Sequence, residues 1–125
     1  MTSGLSVGLA IYNLLNGAIA GVRKVFPVVA DEAVMPYIVY RRASMDPRLP
    51  KDGYGADTVM VELQVVTDTY SRGVTIAERV RELLDGVQLY DEATGLKVRR
   101  MQLSTSEEGW EANAFVQQLT FKVMM

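Results

Sequence analysis

Between Asp57 and Gly86 the hydrophobic period changes once, from two to about 3.6, and this change restricts the fold more than any other feature of the chain. In DTVMVELQVVTDTYSRGVTIAERVRELLDG, Val59, Val61, Leu63 and Val65 alternate with Met60, Glu62, Gln64 and Val66. That is the pattern of a strand with one face in a core and a mixed face opposite. After the turn-prone Thr67–Gly73, Ile76, Ala77, Val80, Leu83 and Leu84 recur at three- and four-residue spacing, with Glu78, Arg79, Arg81 and Glu82 on the other side. The spacing predicts an amphipathic helix, ended at Asp85-Gly86 because glycine takes the left-handed conformation at low cost. A strand that feeds such a helix needs a sheet on which the helix can lie.

The rest of the chain supplies that sheet. Ser3 or Ser6 can cap a first helix through Leu15, with Leu5, Leu9, Ile11, Tyr12, Leu14 and Leu15 as a broad apolar face and Asn16-Gly17 as its stop. Val22–Phe26 reads as a short peripheral strand closed by Pro27, since proline cannot donate to a ladder. Pro36 opens PYIVYRRAS, where Tyr37, Val39 and Arg41 alternate with Ile38, Tyr40 and Arg42, a strand that is central at its start. Asp46–Ala56, with two prolines, two glycines and several charges, has loop composition; it is expected to be poorly ordered in a free subunit and to order on docking. Val87–Thr94 has no clear period. Leu96–Thr105 and Ala112–Met124 read as the arms of a long antiparallel hairpin whose turn spans Ser106–Glu111. Phe115, Leu119, Phe121 and Val123 mark its core face. In the first arm Val98 falls out of phase with Met101 and Leu103, which predicts a bulge near Arg99 and Arg100 or a late start to the buried part. The resulting order, α-β-β-β-α-β-β, predicts an α+β two-layer sandwich, a mainly antiparallel sheet with two helices on one face.

Composition narrows the function. At 125 residues the chain is expected to form one domain, residues 1–125, with a core of useful size. It contains no cysteine and no histidine, so thiolate nucleophiles, zinc-thiolate sites and imidazole bases are excluded. A net charge of -2 gives no global attraction to phosphate backbones, and direct nucleic-acid binding is not expected. No run is long and apolar enough to span a membrane; the N-terminal segment lacks a signal peptide's basic opening and reads as mature, cytoplasmic structure. No cofactor is expected.

Clusters of chemical groups have plain readings. Asp46, Asp52 and Asp57 match no calcium loop and read as solvated loop acids. Glu107, Glu108 and Glu111 lie in the predicted hairpin turn, where nothing would desolvate a carboxylate pair. Gly53 and Gly55 lack the strand and helix that would make them a phosphate loop. The pairs Arg41-Arg42 and Arg99-Arg100 fall on predicted strands, either as solvated sheet-face charges or as part of a partner-binding patch. Trp110 in the turn and Tyr54 in the long loop are either a local hydrophobic plug or an oligomer contact. The seven methionines read as gap-filling core. A ligand-binding or enzymatic α+β domain that uses Tyr37, Tyr40, Arg41 and Arg99 around a pocket is a separate possibility.

A short N-terminal helix, Val25-Phe26-Pro27, then MPYIVY (Met35–Tyr40), then ELQVVTDTYSRGVTIAERVRELLDG, then QQLTFKV (Gln117–Val123) together resemble the bacteriophage tail-completion or tail-terminator family, also called head-tail joining proteins. The resemblance covers nearly the whole chain. It implies a non-enzymatic virion protein of the tail, present in the host cytoplasm during assembly, that forms a ring, commonly a hexamer, on the tail tube. The implied partners are other copies of itself, the tail-tube protein and the head-tail connector protein. The family carries no catalytic residues. Arg41, Arg42, Tyr54, Arg99, Arg100 and Trp110 are the candidate partner-binding residues, and Val87–Thr94 is extra length relative to shorter members.

Overall fold

β3 (Thr58–Thr67) runs through the middle of a five-stranded sheet and passes into α2 (Tyr70–Leu84). These elements come from a computed structural model that describes residues 4–19, 22, 24–28, 34–46, 57–92 and 95–125. A 3-10 turn, Gly4–Ser6, leads into α1 (Val7–Leu15), followed by β1 (Lys24–Pro27) and β2 (Tyr37–Asp46). After α2 come β4 (Leu89–Asp91), β5 (Leu96–Val98), β6 (Arg100–Glu111) and β7 (Ala114–Met124). The sheet order is β1-β2-β3-β7-β6, with β1 and β2 parallel and the other neighbours antiparallel. Both helices cover one face, so the predicted α+β sandwich is the fold found.

The core follows from the alternation in β3. Val59, Val61, Leu63 and Val65 are buried and register with Val123, Phe121, Leu119 and Gln117 of β7. From above, Ile76, Val80 and Leu84 of α2 and Val7, Ala10, Ile11 and Leu15 of α1 pack onto this face as one cluster. Tyr40 reaches into it from β2, and its hydroxyl donates to the Gly8 carbonyl of α1 at 2.8 Å. Burial, with Tyr12 nearby, pushes this phenol up to about 12. On α1 the broad apolar face divides. Leu5 and Leu9, assigned to the core side by periodicity, are each 63% exposed, because the helix lies near the sheet margin over β1 and β2 and only one side of it meets strands.

The strand-to-helix turn is built from hydroxyls. Buried Thr67 donates to the Thr69 carbonyl at 2.7 Å, and Thr69 caps α2 by accepting from the Arg72 N–H. Gly73 then lets the helix press onto the sheet: a Cβ there would lie 3.0 Å from Thr67 Oγ1. At the other end Asp85 ties α2 to β6. Its carboxylate accepts from the Leu103 N–H at 2.8 Å and from Arg81 Nε at 3.4 Å. The Leu103 bond, helped by Arg81 and Arg100 against partial desolvation, holds this carboxyl below its usual range. A depressed folded value means that the contribution is complete above the unfolded value of about 4 and is lost as pH falls through the folded value. Asp85→Asn is therefore expected to cost about 1 kcal/mol at neutral pH, with the difference from the parent shrinking in acid. Melting curves of both proteins at pH 7 and pH 3 check this; a difference that stays constant contradicts it.

The C-terminal half departs from the sequence reading in three places. Val87–Thr94 contains β4, which pairs with β5 as a separate two-stranded sheet through Leu89↔Val98 and Asp91↔Leu96. The single predicted arm Leu96–Thr105 is thus divided at Arg99, and a further register shift lies between Leu103 and Thr105. This break explains why Val98 is out of phase with Met101. The hairpin turn is not Ser106–Glu111, which is strand; it is Ala112-Asn113, with φ of 49° and 62°, a two-residue connection with both residues left-handed. The first short strand starts at Lys24 and includes Pro27, which is tolerated at a sheet margin. The long-loop expectation for Asp46–Ala56 falls, from Pro47 onward, outside the described residues.

Candidate assembly surface

The candidate residues occupy three separate places. Arg41 lies on the face of the sheet away from the helices and pairs with Glu62, its cross-strand neighbour on β3, at 2.7 Å. Arg42 is exposed on the opposite face, in register with Val61. Arg99 joins β5 to β6 and donates its N–H to the Met124 carbonyl at 2.8 Å. Arg100 is the exposed first residue of β6. Trp110 stands at the far end of the same strand, roughly 30 Å away at about 3.3 Å per residue. Tyr54 lies outside the described residues. The residues of the pocket alternative do not all converge: Tyr40 and Arg41 border one concavity with Glu62 and Gln64, but the Tyr40 side chain is buried in the core and Arg99 lies across the sheet at the start of β6.

Trp110 is where groups gather. It belongs to β6 and not to a turn, and register places it opposite Phe115 of β7. The two rings meet edge to face with centroids 4.7 Å apart, and Tyr70 adds a second edge contact to Phe115 at 5.9 Å. Trp110 and Tyr70 remain 57% and 49% exposed. The Tyr70 hydroxyl donates to Glu108 Oε2 at 2.7 Å, and Gln117 Nε2 donates to the same oxygen at 3.0 Å. Those two bonds hold the Glu108 carboxyl below its usual range, and the anion in turn pushes the Tyr70 phenol up. The start of α2 is thereby fastened to the end of the hairpin.

Alternation separates the glutamates that the sequence reading grouped. Glu107, opposite Gln118, lies on the open face, whereas Glu108, opposite Gln117, lies on the helix side. They do not form a paired-carboxylate site. On the open face Gln64 donates to Gln118 at 3.3 Å, and these two line a shallow concavity with Glu107, Gly109 and Val116. Among the described residues no three carboxylates gather to hold a metal ion. The aromatic cluster instead leaves stiff apolar area exposed beside carboxylates.

Nothing in the sequence pattern marks Tyr70 or Gln117 as site residues, and there Glu108 reads as a solvated turn charge and Phe115 as hairpin core. Their proximity depends on knowing that the turn is Ala112-Asn113, since only that register sets Trp110 opposite Phe115 and Glu108 opposite Gln117. Asn113 was the available signal, because asparagine tolerates positive φ better than most residues.

The family described as "Tail completion protein gp17" matches residues 9–124. No curated protein gives a significant match.

Proposed function

We propose that this chain, which belongs to the tail completion protein gp17 family, ends the tail tube of a bacteriophage by forming an oligomeric ring on it and offers the exposed side of that ring to the head connector. Membership itself assigns a structural role in the phage tail; the ring and the two partners are the extension. The observation that carries the reading is the match over nearly the whole chain. The surface is compatible with it. A ring requires a heterologous contact whose rotation closes, and the exposed Trp110–Phe115–Tyr70 cluster is the kind of aromatic anchor on which such contacts depend.

Purified protein mixed with tail tubes that lack it tests the reading. Negative-stain images are expected to show a ring-shaped density at one end of each tube, and tubes so capped should no longer elongate when tube subunits are added. Tubes that remain bare and continue to grow would falsify it.

A further inference from the structure

The two margins of the sheet are complementary to each other. Along the outer side of β6 the first residues are already occupied: Met101 donates to the Val87 carbonyl and accepts from the Gly86 N–H, and the Leu103 N–H goes to Asp85. Past the bulge after Leu103 no described residue takes such bonds. Alternation along the antiparallel ladder, followed through that bulge to the Glu111↔Ala114 pair beside the two-residue turn, directs the main-chain groups of Ser106, Glu108 and Trp110 outward. They form an open edge on a strand that also exposes Trp110.

At the opposite margin β1 has β2 on one side and no described strand on the other. Register fixes the level of the two edges. Lys24 aligns across the sheet through Tyr37, Val66 and Val116 with Gly109, and Phe26 aligns through Val39, Gln64 and Gln118 with Glu107. The open part of β6 and the whole of β1 therefore lie at one height. Their directions follow from the same pairings: β1 runs with β2 and β7 and against β3 and β6. A neighbouring copy placed in line would bring its β1 beside β6 as an antiparallel pair.

Charge selects this pairing over the alternatives. The open part of β6 exposes Glu107, Glu108 and Glu111, whereas β1 exposes Lys24. Two β6 edges together would oppose acid to acid, which disfavours a symmetric dimer. We infer that the exposed end of β6 takes the β1 edge of a second copy of this chain, with the partner's Lys24 at the level of Gly109, diagonal to Glu107 and Glu111 on the same face, and Trp110 packed at the seam, so that the sheet continues from subunit to subunit. This rests on the ring reading above and supplies its interface. The contact is heterologous, and such contacts close into rings or extend into filaments.

Reversing the charges tests the contact. Glu107→Lys and Lys24→Glu are each expected to weaken self-association by about tenfold or more, because every interface then opposes like charges. The double variant should recover assembly. An equimolar mixture of the two single variants should recover it as well, since in a head-to-tail chain each variant's altered edge meets the other's. Light scattering and mass photometry over a concentration series, with and without tail tubes, read the result; equal melting temperatures establish that the variants fold. Should a reversal lower the melting temperature, Glu107→Gln and Lys24→Gln replace the pair, and a smaller loss in both supports the contact. Single variants that assemble like the parent, or a mixture that stays dissociated, overturn this interface while leaving the ring intact. A parent chain that stays monomeric even on tail tubes overturns both.

Discussion

Leu63→Asp is expected to leave no folded protein. Leu63 sits in the middle of the central strand, fully buried and in register with Tyr40 on one side and Leu119 on the other. Removing the leucine side chain alone costs about 2–5 kcal/mol in a packed core. The incoming carboxyl finds a face lined by aliphatic side chains from β3, β7 and both helices, and burying it adds several kcal/mol whether it ionises or takes up a proton. Against a total stability of about 5–15 kcal/mol for a domain, the sum removes the folded state. Val80→Asp, at an equally buried position on α2, should behave the same way, while Leu63→Met should cost less than about 1.5 kcal/mol. Circular dichroism and solubility at 20 °C distinguish the three. A cooperative melting transition for Leu63→Asp near that of the parent contradicts the assignment of β3 as the structural centre.

Trp110→Ala is expected to do the opposite, sparing the subunit and damaging assembly. The ring is more than half exposed, and within the subunit its recorded aromatic contact is with Phe115, so the loss of that stacking is worth about 0.5–1.5 kcal/mol. The melting temperature should fall by a few degrees at most. A central aromatic anchor at an interface contributes about 2 kcal/mol or more, which corresponds to roughly a 30-fold weaker association for each contact. Analytical ultracentrifugation of the variant with and without tail tubes measures this directly. A variant that unfolds would show that Trp110 holds the hairpin together; one that assembles normally would remove it from the interface.

The readable and unreadable parts of the sequence differ in what constrains them. β3 and α2 were legible because burial on one face imposes a period, and Val59 through Val65 and Ile76 through Leu84 show it. The end of β6 was not legible for the converse reason. Ser106–Glu111 belong to a margin strand exposed on both faces, so no core enforces alternation, and their polar composition resembles a turn. The true turn, Ala112-Asn113, contains no glycine and only one residue suited to positive φ. The break at Arg99 was detected as a phase error at Val98, but its cause, the separate pairing of β5 with β4, is a tertiary fact. For the candidate contact surface, the sequence points to Trp110 as an exposed aromatic. Phe115 and Tyr70 became its neighbours only once the register was set. Arg41 and Arg42 stand out as paired arginines on a predicted strand, a pattern that cannot show that Arg41 is engaged with Glu62 inside the subunit.

The most direct measurement of the central claim is made on particles. Deleting this gene from a phage or inducible prophage that carries it and imaging the lysate by electron microscopy should show filled heads without tails beside tails lacking a normal head-proximal end. Supplying the parent protein should restore joined particles, and supplying the Trp110→Ala variant should not. Joined, infectious particles with tails of normal length in the deletion lysate would contradict the account.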